Sequence, residues 1–207
     1  MIYKIILFLF ISISILPCYA VQKGSVEYNG VFVDYSKINY SELLKSADSH
    51  FSKFETDNDL NLLTTSMGEY YILAKVKPNE IYPVVQLART YDITNRNRKA
   101  KEYFSKGLNI DKNNPLVNYY FGDFYYKRAE YKKALKYFTK SYANGYDKYY
   151  DLNLKIATIY EKFADLERAK YYYNRAFALN PSAYVLKDKV LELESLGYDK
   201  SEYYKKK

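Results

Sequence analysis

Between Ile81 and about Pro181 the chain writes one pattern three times. A small residue is followed three places later by a tyrosine: Ala88 with Tyr91, Gly122 with Tyr125, Ala157 with Tyr160. The steps between copies are 34 and 35 residues (122 − 88 and 157 − 122). Twelve places after each small residue stands an alanine, Ala100, Ala134 or Ala169. Four further on is an aromatic (Phe104, Phe138, Tyr173), and three beyond that a small residue (Gly107, Ser141, Ala176). Spacings of three and four place side chains on one face of an α-helix. Each copy therefore reads as two short helices, with Val84, Leu87, Ala88 and Tyr91 striping the first and Ala100, Phe104 and Gly107 the second. Asn95-Arg96-Asn97 is the polar break between them. One such hairpin cannot bury its stripe alone, whereas about three stacked copies can. The small residues let helix axes approach to roughly 8–10 Å, with tyrosine and phenylalanine filling the space beside each contact.

The pattern of large, apolar, small and aromatic, then alanine, aromatic and small, resembles the tetratricopeptide repeat family. Repeats numbered from Ile81, Pro115 and Tyr150 span 81–114, 115–149 and 150–183. Asn109 to Pro115 looks like the family's inter-repeat turn, with Lys112 where the family prefers proline, and Asn180-Pro181 keeps that proline. The first large position departs from the family: it holds Val84, Asn118 and Asn153, two of them polar. The resemblance implies an all-α fold, a right-handed α–α superhelix of stacked helical hairpins. It also implies a concave groove, lined by the first helix of each pair, that takes an extended segment or helix of a protein partner.

Carried onto this chain, the groove positions include Tyr82, Val85, Arg89 and Asp92 from the first repeat. The second repeat offers Leu116, Tyr119, Tyr120, Asp123, Tyr126 and Lys127, and the third Asp151, Leu154, Lys155, Thr158, Glu161 and Lys162. The second repeat is the expected hot spot, since tyrosine gives large contact area with a polar tip at low entropic cost. Acids and bases balance within the set, so it announces neither an acidic nor a basic ligand. The family's carboxylate clamp for chaperone tails is not expected, because its lysine and asparagine places hold Val85 and Arg89, Tyr120, and Asp151 with Lys155.

The start of the chain reads as an export signal. Lys4 is the one charge in the first twenty residues, Ile5 to Leu16 is apolar, and Pro17-Cys18-Tyr19-Ala20 ends in small residues suited to cleavage after Ala20. The run is short for a bilayer span of about 20 residues, and retention as an uncleaved membrane anchor is the competing reading. Pro17 before Cys18 argues against lipidation. Cleavage would leave a cysteine-free chain, with no disulfide framework and no cysteine metal site. The expected location is periplasmic or secreted.

Between the signal and the repeats lie two further segments. Residues 21–40 read as an extended or hairpin-like leader, because Asn29-Gly30 separates two β-prone runs. Residues 41–77 read as a degenerate helical hairpin capping the stack, with Ser41 as N-cap, a break at Thr56 to Asp59, and a stop before Pro78. After the repeats a helix is expected from Ser182 to about Leu196, ended by Gly197, and then a mobile basic tail over 198–207.

No catalytic constellation is visible. His50 is the lone histidine, no phosphate-binding glycine loop is present, and the carboxylates show no acid–base pairing by spacing. No cofactor, metal or nucleic-acid partner is expected. The leading functional reading is a non-catalytic scaffold binding a protein or peptide in the cell envelope. The formal charge of +8 supports a second reading, a structural envelope component held on anionic polymer or lipid. The basic residues form no linear motif within the repeats.

Overall fold

The computed structural model describes residues 25–28 and 30–205, with side chains except those at 26, 31 and 196–205. The expected signal, its cut after Ala20 and Cys18 lie outside the described residues. Two units separate at Ile38/Asn39. In the first, β1 (Ser25–Tyr28) and β2 (Val31–Asp34) pair antiparallel, Ser25 opposite Asp34 and Tyr28 opposite Val31. Gly30 lies at φ 81°, the left-handed conformation such a tight turn needs.

The second unit is helical throughout. The first pair is α1 (Tyr40–Asp57) and α2 (Leu60–Val76). The repeats supply α3 (Ile81–Ile93) with α4 (Asn97–Ile110), then α5 (Pro115–Tyr126) with α6 (Tyr131–Ser141), then α7 (Tyr150–Lys162) with α8 (Leu166–Leu179). The last helix, α9 (Tyr184–Lys205), packs on α8. Each pair is an antiparallel hairpin, and each second helix also packs on the first helix of the next pair. The result is a solenoid of stacked helical hairpins.

The repeated residues are its core. The alanines of the pattern are fully buried, and Phe104, Phe138 and Tyr173 are buried beside them. Gly122 explains why one small position is a glycine: a Cβ there would sit 2.5 Å from Cδ1 of Phe138, so the ring lies directly on the α5 backbone. At Gly107 the corresponding distance is 3.2 Å, to Val117. Ser141 hides its hydroxyl by donating to the carbonyl of Pro115 at 2.8 Å.

The turn inside each repeat is one motif built three times. Arg96, Glu130 and Asp165 each donate their N–H to the carbonyl of the pattern tyrosine five places back, Tyr91, Tyr125 and Tyr160. The residue before each, Asn95, Ala129 and Ala164, takes φ of 56–57°. This is the Schellman ending, in which a left-handed residue satisfies the last helix carbonyls.

The polar residues at the first large position also have a structural role. Asn118 Nδ2 donates to the carbonyls of Lys112 (3.1 Å) and Asn114 (2.8 Å), and Asn153 Nδ2 to those of Asp147 (2.8 Å) and Tyr149 (2.9 Å). Each fully buried asparagine ties the inter-repeat loop to the helix that follows.

Three expectations need correction. Asn39, not Ser41, caps α1, accepting from the N–H of Glu42 at 3.3 Å, and Ser41 falls within the first turn. Gly197 does not end the last helix, and the tail backbone to Lys205 is helical. A glycine inside a helix costs only about 1 kcal/mol against alanine, which the flanking Glu, Leu and Lys residues tolerate. The step of 35 residues is taken up in a wide turn at Tyr142–Tyr146, where Gly145 takes φ 110°.

Candidate partner-binding face

The first helices α1, α3, α5 and α7 share one face, joined side by side by residues about one repeat apart. At its start, the Tyr82 hydroxyl donates to Asp48 Oδ1 at 3.0 Å, and Gln86 donates to the Tyr82 oxygen at 2.7 Å. Arg89 donates to Gln86 at 2.7 Å and to Glu55 at 3.0 Å. The Arg89 guanidinium is sandwiched between rings, 4.6 Å from the centroid of Phe51 and 4.2 Å from that of Tyr120.

Between α5 and α7 the ladder is ionic. Lys155 Nζ lies 2.5 Å from Asp123 Oδ1 and 2.7 Å from Asp151 Oδ2, and Lys127 Nζ lies 2.8 Å from Asp123 Oδ2. Lys127 also reaches Asp92, which pairs in addition with Arg128 at 2.7 Å. Burial pushes the Asp123 carboxyl up, but Lys155 and Lys127 outweigh it and hold it below the ordinary range. Burial likewise opposes the charge on Lys155, and Asp123 with Asp151 holds its pKa above the ordinary value. The ladder ends where the Tyr173 hydroxyl donates to Glu161 at 2.6 Å and Lys189 of α9 pairs with Glu161 at 2.7 Å.

The expected groove residues divide accordingly. Tyr82 is exposed, and Leu116, Tyr126, Leu154 and Thr158 are half-buried and reachable. Arg89 and Asp123 lie on the face with their polar atoms already paired. Thr158 donates to the carbonyl of Leu154 at 2.9 Å. Tyr119, Asp123 and Tyr126 converge on Lys155, whose ammonium lies over both tyrosine rings. Leu154 lines a cleft of about 540 Å³ with Tyr173, Val185, Leu186 and Lys189.

Two expected residues do not belong to an accessible groove. Val85 is fully buried beside Gly107, because this face of α3 packs on α5 and the end of α4. Tyr119 is only 5% exposed, and its hydroxyl is given to Asp151 across the α5–α7 seam. Burial, then that hydrogen bond, raises its pKa. Tyr119 is therefore a wall of the face, not a projecting anchor.

Two reachable tyrosines escaped the sequence reading. Tyr146 and Tyr149 come from the wide turn before α7, and with Tyr119 and Tyr120 they form one aromatic cluster. Tyr149 stands edge-on to Tyr119 at 5.0 Å and is 45% exposed. The cluster opens beside Arg89 through Tyr120. The signal was the extra residue in the second repeat, which widens the turn that carries them.

Among the described residues no group of three His, Cys, Asp or Glu is placed to hold a metal ion. The lone histidine, His50, joins Ser46 and Glu69 in a polar tie between α1 and α2, with Nδ1 at 2.8 Å from Glu69 Oε2. No described helix is long and apolar enough to cross a membrane.

The tetratricopeptide repeat model matches residues 84–114 and 150–182, the first and third copies of the pattern. The intervening copy has the same helices and the same turn. The fold is a solenoid of helical hairpins like that of tetratricopeptide repeats, with the family model matching under a third of the chain. Among solved structures it resembles MamA (19% identity over 81% of this chain and 88% of that one, TM-score 0.59). It also resembles PilW, a widely conserved type IV pilus biogenesis factor (20%, 75% and 70%, TM-score 0.61). A third is YrrB, a protein of this repeat class with an unusual peptide-binding site (13%, 78% and 84%, TM-score 0.56). A search of curated proteins returns no match.

Proposed function

We propose that this chain is an exported, non-catalytic adaptor that captures a protein or peptide segment on the face of α1, α3, α5 and α7. The observation that carries the reading is the cluster of Tyr120, Tyr146 and Tyr149 beside Arg89, reachable from solvent on a wall where Lys155 is neutralised by Asp123 and Asp151. Tyrosine and arginine are the residues that dominate binding hot spots, and a pre-paired wall loses little order when a ligand docks. YrrB, of the same fold, has a peptide-binding site, and PilW acts in pilus biogenesis; both fit a scaffold role here. The charged and apolar opening with its small residues at Ala20 supports export to the envelope.

The test has two parts. N-terminal sequencing of the chain recovered from its own cells should begin at Val21; an intact Met1 there contradicts cleavage. Tagged chain should then retain a specific partner from the envelope fraction, identified by mass spectrometry. Recovery of nothing beyond what a Tyr120→Ala/Tyr149→Ala variant recovers contradicts the groove assignment.

A further inference from the structure

The net charge of the chain is not spread around the solenoid. The first helices α3, α5 and α7 hold three cations, Arg89, Lys155 and Lys162, against four carboxylates, Asp92, Asp123, Asp151 and Glu161. The second helices α4, α6 and α8 hold eleven lysines and arginines against two carboxylates, Glu102 and Glu167. That imbalance exceeds the +8 of the whole chain. The linear sequence hides it, because cations at helical spacing are interleaved with buried alanine and aromatic positions.

Lys133 on α6 and Arg168, Lys170 and Arg175 on α8 are ion-paired, but most cations of α4 and α6 are not. Lys99, Lys101 and Lys106 on α4 and Lys132, Lys136 and Lys140 on α6 are exposed, and among the described residues none has a carboxylate within ion-pair distance. Some lie over rings instead, Lys99 over Tyr91 at 5.3 Å and Lys106 over Tyr103 at 5.4 Å. Lys101 and Lys133, from different helices, both lie over Tyr125, at 5.8 and 5.2 Å. Glu130, which pairs with Lys133, is the single carboxylate there. On α3, α5 and α7 the carboxylates Asp92, Asp123, Asp151 and Glu161 are all in ion pairs, while six lysines gather unpaired on α4 and α6.

We propose that the outer face of α4, α6 and α8 docks on an anionic lipid bilayer. Charge complementarity names the occupant's sign, and three features favour a surface over a polymer strand. Lysine outnumbers arginine, which suits diffuse attraction to headgroups more than bidentate recognition. A basic groove with exposed stacking rings is what holds a single strand, and here the rings beneath the lysines are buried (Tyr103, Tyr125) or half-buried (Tyr137). Tyr171 on α8 is 51% exposed beside Arg175, an amphipathic ring suited to headgroup depth. The inference is independent of the partner-binding face, which lies on the other set of helices.

The experiment is co-sedimentation of the full chain with vesicles of phosphatidylcholine, with and without phosphatidylglycerol, at about 0.05 and about 0.5 M salt. The readout is the binding gained on adding the anionic lipid. The wild type should gain strongly at low salt and lose most of that gain at high salt. Lys132→Glu/Lys136→Glu/Lys140→Glu should reduce the gain about 100-fold or more. The neutral Lys99→Gln/Lys101→Gln/Lys106→Gln variant keeps the test valid if charge reversal harms folding. Tyr149→Ala should bind vesicles as the wild type does. Equal binding by wild type and lysine variants, a gain indifferent to salt, or tighter binding to duplex DNA than to the anionic vesicles would overturn the proposal.

Discussion

Asn118 and Asn153 stand one repeat apart and make the same pair of hydrogen bonds, each amide reaching back to two carbonyls of the loop that precedes its helix. A position expected to be large and apolar has become a buried polar tie. Replacing Asn118 with alanine removes both side-chain donors, so the carbonyl of Lys112 loses its side-chain partner and that of Asn114 keeps only the backbone N–H of residue 118. The expected cost is about 1–3 kcal/mol, lowering Tm by about 2–4 °C per kcal/mol. Thermal unfolding followed by circular dichroism checks this, and Asn153→Ala should behave alike.

The two glycines of the repeat pattern, Gly107 and Gly122, should differ sharply. Gly122→Ala drives a methyl into the Phe138 ring and should cost about 1–3 kcal/mol, since the ring is fully buried and has nowhere to go. Gly107→Ala needs Val117 to yield by only a few tenths of an ångström, and the helix gains about 0.5–1 kcal/mol in propensity. Urea melts should place Gly107→Ala near the wild type and Gly122→Ala well below it.

Ala129 and Ala164 occupy left-handed positions that cost an L-residue about 1–2 kcal/mol. Glycine at either place should raise Tm, the gain being trimmed by the added entropy of the unfolded chain. A fall in Tm would mean that the methyl makes packing contacts worth more than the strain.

Acid should loosen the α5–α7 seam. The folded Asp123 carboxyl titrates below its ordinary 3.8, so its contribution is present above the unfolded value and is lost as pH falls through the folded one. Wild-type Tm should therefore drop between about pH 5 and about pH 2, and Asp123→Asn should drop less over that window while starting lower at neutral pH. Parallel pH profiles for the two proteins would remove Asp123 from the seam.

The seam explains what was legible in the sequence. Periodicity of three and four named the helices, and the alanines and aromatics at 100, 104, 134, 138, 169 and 173 are where the core lies. The groove was harder to read. Val85 and Tyr119 share the spacing of accessible residues, yet close packing of α3 on α5 buries one and a bond to Asp151 secures the other. Tyr146 and Tyr149 carry no helical period because they sit in a turn, and their place on the face depends on how that turn folds. The outer lysines were visible individually, but their common exposure and lack of partners are properties of three dimensions.

The most direct test of the account is the affinity of the captured envelope partner for the wild type and for Tyr149→Ala, measured by titration calorimetry beside a Lys136→Glu control. Tyr149→Ala should weaken binding by about tenfold or more at unchanged Tm, as loss of an exposed aromatic anchor does, while Lys136→Glu should bind normally. Unchanged affinity for Tyr149→Ala together with loss for Lys136→Glu would place partner capture on the outer helices and contradict the account.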